Sequence, residues 1–197
     1  IFGKKTGLNF NTTPPTPVNE SQMLTFEGCA SIADSDGNLL FYTDGTTVWN
    51  STHSQMTGGT NLGGHMSSTQ SGIIVPQPEH PNMYFIFTVP YQGDVEGLQY
   101  SVVDMNEGSG LGAVIELNNQ LVTPVTEKVT AMKHWNNEDI WVITHKWETM
   151  EINGNDTSYY PSNEFYAYKV TEEGVQEDPV VSSVGLYHGG NPYNTQG

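Results

Sequence analysis

The seven residues Met83-Tyr84-Phe85-Ile86-Phe87-Thr88-Val89 constrain the chain most. A strand points successive side chains to opposite faces. A strand with this composition is therefore apolar on both faces and must be covered from both sides. A helical reading does not hold. Nowhere do about 11 residues show apolar i, i+3, i+4, i+7 spacing free of Gly, Pro or β-branched clusters. Short Val, Ile, Thr, Tyr, Phe and Trp runs bounded by Gly, Asn, Asp and Pro occur throughout, and these are strand signals. The expectation is an all-β chain.

The strand runs repeat. Leu39-Leu40-Phe41-Tyr42-Thr43, Tyr84-Phe85-Ile86-Phe87-Thr88 and Ile140-Trp141-Val142-Ile143-Thr144 are apolar strands ending in Thr. Each follows a turn and an earlier strand, at 29–33, 72–75 and 129–134. Each precedes another strand, at 46–49, 98–103 and 165–170. A unit of roughly 40–50 residues with three or four strands has the period of a propeller blade. The expected units span about 28–57, 67–122 and 126–185, with loop insertions at 92–97 and 147–163. The fold expected is a β-propeller-like segment of about three four-stranded blades plus ends. Three blades are too few to close a ring of 4–8. The ending Tyr193-Asn194-Thr195-Gln196-Gly197 shows no capping feature, so the segment is expected to be truncated and the ring to continue.

Charge removes whole classes of partner. Six Lys and no Arg face 22 Asp and Glu, for a net charge of −16. Such a field repels nucleic acid and anionic membrane surfaces. Cys29 is the single cysteine, so no disulfide framework exists. Ten Tyr, seven Phe and four Trp are too many for a disordered acidic tail. No apolar run approaches the roughly 18–20 residues of a spanning helix. High acidity with abundant Asn, Thr, Gly and Tyr fits an extracellular protein.

Candidate sites are few. Asp34-Ser35-Asp36-Gly37-Asn38 resembles a calcium loop, but the later acidic ligands are lacking: Tyr42 and Gly45 stand where positions 9 and 12 would fall. A hairpin turn is the simpler reading. His134 and His145 would share a face if the hairpin turned at Asn137-Glu138, with His134 opposite Trp141 and His145 opposite Thr130. They would then be about 14 Å apart, too far to share one ion. Neither a metal nor a cofactor is expected. Cys29 reads as a small buried hydrophobe within a strand. No Gly-x-Ser-x-Gly elbow occurs, so no catalytic residue is assigned. Asn11, Asn50 and Asn155 begin glycosylation-type sequons. Trp141 reads as core. Trp135 and Trp147, at hairpin and loop positions, are the candidate ligand-binding aromatics.

Two stretches carry a resemblance. They are Gly28-Cys29-Ala30-Ser31-Ile32-Ala33-Asp34 and Gly37-Asn38-Leu39-Leu40-Phe41-Tyr42-Thr43-Asp44-Gly45-Thr46-Thr47-Val48-Trp49-Asn50. With Ser67-Ser68-Thr69-Gln70-Ser71, Tyr100-Ser101-Val102-Val103-Asp104-Met105 and Phe165-Tyr166-Ala167-Tyr168, they resemble the N-terminal β-propeller-like domain of large Bacteroidetes-type secreted proteins. Those proteins are associated with gliding motility and type IX secretion. The resemblance implies an extracellular or outer-surface location and no established enzyme activity. A non-catalytic interaction, adhesion or structural module is the expectation, by analogy with propellers at large. Its partner would be a protein or glycan, further blades of the same parent chain, or another copy. Two rival functions remain open. One is a carbohydrate- or peptide-cleaving propeller with carboxylates in a central channel. The other is a self-assembling surface-layer or filament subunit built by strand addition.

Overall fold

The computed structural model describes residues 1–153 and 156–189. The ending at 193–197 and the sequon residue Asn155 lie outside the described residues. Among the described residues there are fifteen strands, one short 3-10 turn at Gly108–Gly110 and no α-helix. The all-β expectation holds.

A small hairpin opens the chain, pairing β1 (Gly7–Asn9) with β2 (Thr16–Val18). Three antiparallel meanders follow. The first runs β3 (Ala30–Ala33), β4 (Leu39–Thr43), β5 (Thr47–Asn50) and β6 (Gln55–Thr60). The second runs β7 (Gly72–Pro76), β8 (Met83–Thr88), β9 (Leu98–Asp104) and β10 (Ala113–Val122). A parallel pair, Thr57 with Ala113, joins β6 to β10 and makes one eight-stranded sheet. Its end strands β3 and β7 come back into contact, so this sheet nearly closes on itself like a barrel. The third meander pairs β11 (Val125–Lys133), β12 (Ile140–Lys146), β14 (Asp156–Thr171) and β15 (Gly174–His188) in that order. β13 (Glu148–Asn153) pairs with the first part of β14. The segment 147–163, expected to be a loop insertion, is thus mostly a hairpin extending the sheet.

β8 meets the demand its sequence makes. Five of its six residues are buried. Tyr84 and Ile86 point into a cluster with Phe41, Val48, Met56, Leu62 and Val103, between the first and second meanders. Phe85 and Phe87 point the other way, into a cluster with Val125, Val129, Val142, Tyr168 and Val170 of the third. Ile86 and Phe87 are both fully buried, and each such side chain contributes roughly 1.5–3 kcal/mol of transfer free energy. The strand is the shared wall of two cores.

Two local expectations are corrected. The β11–β12 register is displaced by two residues: Thr130 pairs with Ile143 and Met132 with Trp141. The turn closes from the His134 N–H to the Asp139 carbonyl at 2.9 Å, with Asn137 in the left-handed region at φ 63°. Asn accepts that conformation readily. His145 pairs with Phe165 of β14 instead of Thr130. Cys29 stands just before β3 and is half-buried, so it is not an interior strand residue.

Candidate functional site

The outer face of the third sheet follows from its register. Ile140, Val142, Tyr166, Tyr168 and Val170 face the second meander. Strand alternation then turns Trp141, Ile143, Phe165 and Ala167 outward, and pairing places Met132 beside Trp141 and Val180 beside Ala167. Met132 is 57% exposed and Val180 54%. The remaining four are half-buried. Exposed apolar residues continue along β15 through Val184, Leu186 and Tyr187.

Trp135 stands at the rim of this face and is 86% exposed. His134 lies between two indoles, 5.6 Å from the Trp135 ring and 5.4 Å from that of Trp141. Asn136 holds the turn: its side-chain oxygen accepts from the Glu138 and Asp139 N–H groups, and its amide donates to Asp139 at 3.0 Å. Trp135 is therefore where a surface aromatic was expected. Trp147 is not. It is 5% exposed, and its backbone N–H donates to the Pro124 carbonyl at 3.0 Å. It offers no face to a ligand, and the expectation of a binding role is corrected. The two tryptophans form no joint site. Trp141, expected in the core, is half-buried on the outer face.

Beside the Trp135 turn lies a cleft of about 550 Å³ where three hairpin turns meet. Glu79, Glu138, Asp139, Glu172 and Glu173 line it, with Lys169 as their counter-charge. Lys169 pairs with Asp139 at 3.5 Å. The Gln77 amide donates to the Glu172 carbonyl at 2.7 Å and ties two turns together.

Acids nearer the inner strands hold loops. One oxygen of Asp44 accepts from the Thr46 N–H and hydroxyl and from the Thr47 N–H, each at 2.8 Å. The Ser71 hydroxyl donates to the Asp44 carbonyl. Glu127 is fully buried at the start of β11. One of its oxygens accepts from the Thr69 N–H at 2.8 Å and hydroxyl at 2.9 Å, the other from the Gln92 N–H at 3.0 Å. The loops before β7 and after β8 are thereby fastened to β11.

The Asp34 turn behaves as a turn. Its carboxylate accepts from the N–H groups of Asp36 and Asn38 and from the Asn38 side chain. The Asn38 side-chain bond, followed by the Asn38 backbone bond, holds its pKa below the ordinary carboxylate value. Among the described residues, no group of three or more His, Cys, Asp or Glu is placed to hold a metal ion.

His145 is a buried polar residue of β12. It is 7% exposed, and among the described residues neither ring nitrogen has a hydrogen-bond partner. The His188 ring lies 4.7 Å away and that of Phe165 4.5 Å. Burial first, and then the neighbouring His188, push its pKa down, while the Lys146 backbone opposes the shift. The pairing of these residues was invisible in sequence, because His188 is far along the chain.

No family model, curated protein or solved structure matches this chain.

Proposed function

We propose that this chain is a propeller-type stack of three four-stranded modules acting without catalysis, as an interaction and structural unit. Its docking surface is the outer face of the third sheet, and its partner is a further β-sheet with an apolar face. Two features support the blade-like reading. Each meander stacks on the next through a core of the same kind. The first strands β3, β7 and β11 lie side by side in succession. The single observation that carries the docking role is the outer apolar face, in which Met132 and Val180 remain more than half exposed. The first two modules cover each other; the third repeats the pattern with its outer face open. Apolar patches of this kind mark association sites. The outer-surface location and type IX export rest on the sequence resemblance alone.

The buried acids favour a structural over a hydrolytic role, since Asp44 and Glu127 direct their oxygens at loop N–H groups. The test uses charge screening. At a net charge of −16, copies repel at low salt, and at 1 M salt the screening length falls to about 3 Å. Light scattering should then show salt-promoted association, with binding of a hydrophobic dye. Both should be lost in the double variant Met132→Lys, Val180→Lys, with thermal stability unchanged. A wild-type chain that stays monomeric in high salt and binds no dye refutes the docking surface. Turnover of a glycan or peptide, abolished by a single acid substitution, refutes the non-catalytic reading.

A further inference from the structure

The far end of β15 is fastened to its sheet by very little. Its pairing with β14 runs as far as Glu164 with Ser183, and then occurs only once more, Ser162 with His188. The stretch 184–187 between those pairs bows out of register. Gly185 there takes the left-handed region at φ 81°, and Val184, Leu186 and Tyr187 are exposed. Beyond the bow the chain is seated closely again. A Cβ at Gly189 would stand 2.7 Å from the Pro161 Cα and 3.1 Å from the Glu148 Cγ.

This loosely held end lands on a histidine. Strand alternation puts His145 on the outer face with Trp141 and Ile143. Those two are half-buried, whereas His145 is buried, with the His188 ring 4.7 Å away and the Phe165 ring 4.5 Å away. Neither of its nitrogens has a hydrogen-bond partner among the described residues. A neutral imidazole has one N–H to satisfy, and an imidazolium has two together with a charge. The charged groups on the surrounding strands are committed elsewhere or carry the wrong sign. On β14, Glu164 alternates to the opposite face and pairs with Lys146 at 3.8 Å. On β11, the residues abreast of His145 include Glu127, whose oxygens accept from Thr69 and Gln92, and Lys128, a cation. On β13, Glu148 packs against Gly189 and is already engaged. On β15 the facing group is His188. Burial first, and then His188, accordingly hold the His145 pKa down.

We propose that His145 and His188 form an acid-released clasp, which holds the end of β15 over β12 while both rings are neutral and lets it lift through the bowed stretch 184–187 when His145 gains a proton. In the lifted form water solvates the His145 imidazolium, so that form takes up a proton the closed form resists. Its share grows as pH falls below the ordinary histidine value of about 6.5. For one proton the gain is up to about tenfold per pH unit. The rest of the third sheet stays paired, because the β12–β14 ladder from Ile140–Val170 to His145–Phe165 does not use the bowed stretch. Lifting bares the end of the outer face that His145 and Phe165 share. The clasp does not rest on the docking role proposed above, since it is read at its own rings, and either can fail alone.

The test is ring-to-ring magnetisation transfer in NMR spectra of the full chain between pH 8 and pH 5. The His145–His188 contact should be present at pH 8 and fall by more than half at pH 5. The cross-strand contact between Trp141 and Lys169 should persist at both. His145→Phe keeps a ring but takes no proton, so its contact with His188 should survive at pH 5. In His188→Ala the titration midpoint of His145 should rise towards about 6.5. The proposal is overturned if the wild-type contact is undiminished at pH 5, or if the Trp141–Lys169 contact is lost with it. It is overturned equally if His145→Phe loses the contact as the wild type does, or if the His145 midpoint is unmoved in His188→Ala.

Discussion

Replacing Glu127 with Gln changes one atom and should cost several kcal/mol. The carboxylate accepts two bonds on one oxygen, both from Thr69, and one on the other, from the Gln92 N–H. A Gln amide keeps only one acceptor. If its oxygen stays with Thr69, its NH2 meets the Gln92 N–H, donor against donor. That leaves one buried donor unsatisfied, at about 1–3 kcal/mol. The two Thr69 bonds lose their charge assistance, at about 1 kcal/mol each. The sum is about 3–5 kcal/mol. With a urea m-value of roughly 2 kcal/mol/M, the midpoint should fall by about 1.5–2.5 M at unchanged m. Hydrogen exchange should quicken first at the Thr69 and Gln92 amides, while β8 stays protected. A midpoint shift below about 0.3 M, or unaltered exchange at those two amides, would refute the view that Glu127 fastens the loops to β11.

His145 should make stability fall in mild acid. Its folded pKa is depressed by burial and by His188, so the unfolded chain takes up a proton that the folded chain resists. Stability is flat above the ordinary histidine value of about 6.5 and declines as pH drops from there toward the folded value. Denaturation from pH 8 to 5 should show this slope, and His145→Phe should flatten it; an equal slope in the variant would exclude His145 as the source. Thr88 is fully buried, and among the described residues its hydroxyl has no partner. Thr88→Val should therefore be neutral or stabilise by up to about 1 kcal/mol, and a loss above about 1 kcal/mol by chemical denaturation would reveal a bond to that hydroxyl.

Strands were legible wherever burial dictated composition. Leu39–Thr43 coincides with its expected run, and β8 begins one residue before the expected Tyr84–Thr88 strand. The double-sided apolar pattern of β8 predicted two covers, and both are present. Contacts that depend on geometry were not legible. The β11–β12 hairpin centres between Asn136 and Asn137 instead of between Asn137 and Glu138, which moves the register by two residues, and no local propensity distinguishes the two. Trp147 looked like a loop aromatic because nothing in its local sequence signals its burial. Glu127 was one acid among 22, and only the fold brings the Thr69 and Gln92 donors to it.

The double burial of β8 also governs how the protein comes apart. If the third meander detaches, Phe85 and Phe87 meet water on one side of a strand whose other side still supports the first meander. The penalty is then felt in both halves. Melting of one module lowers the threshold for the next, so the stack behaves as a single cooperative block instead of three beads on a string. A destabilising lesion in any module becomes a lesion of the whole.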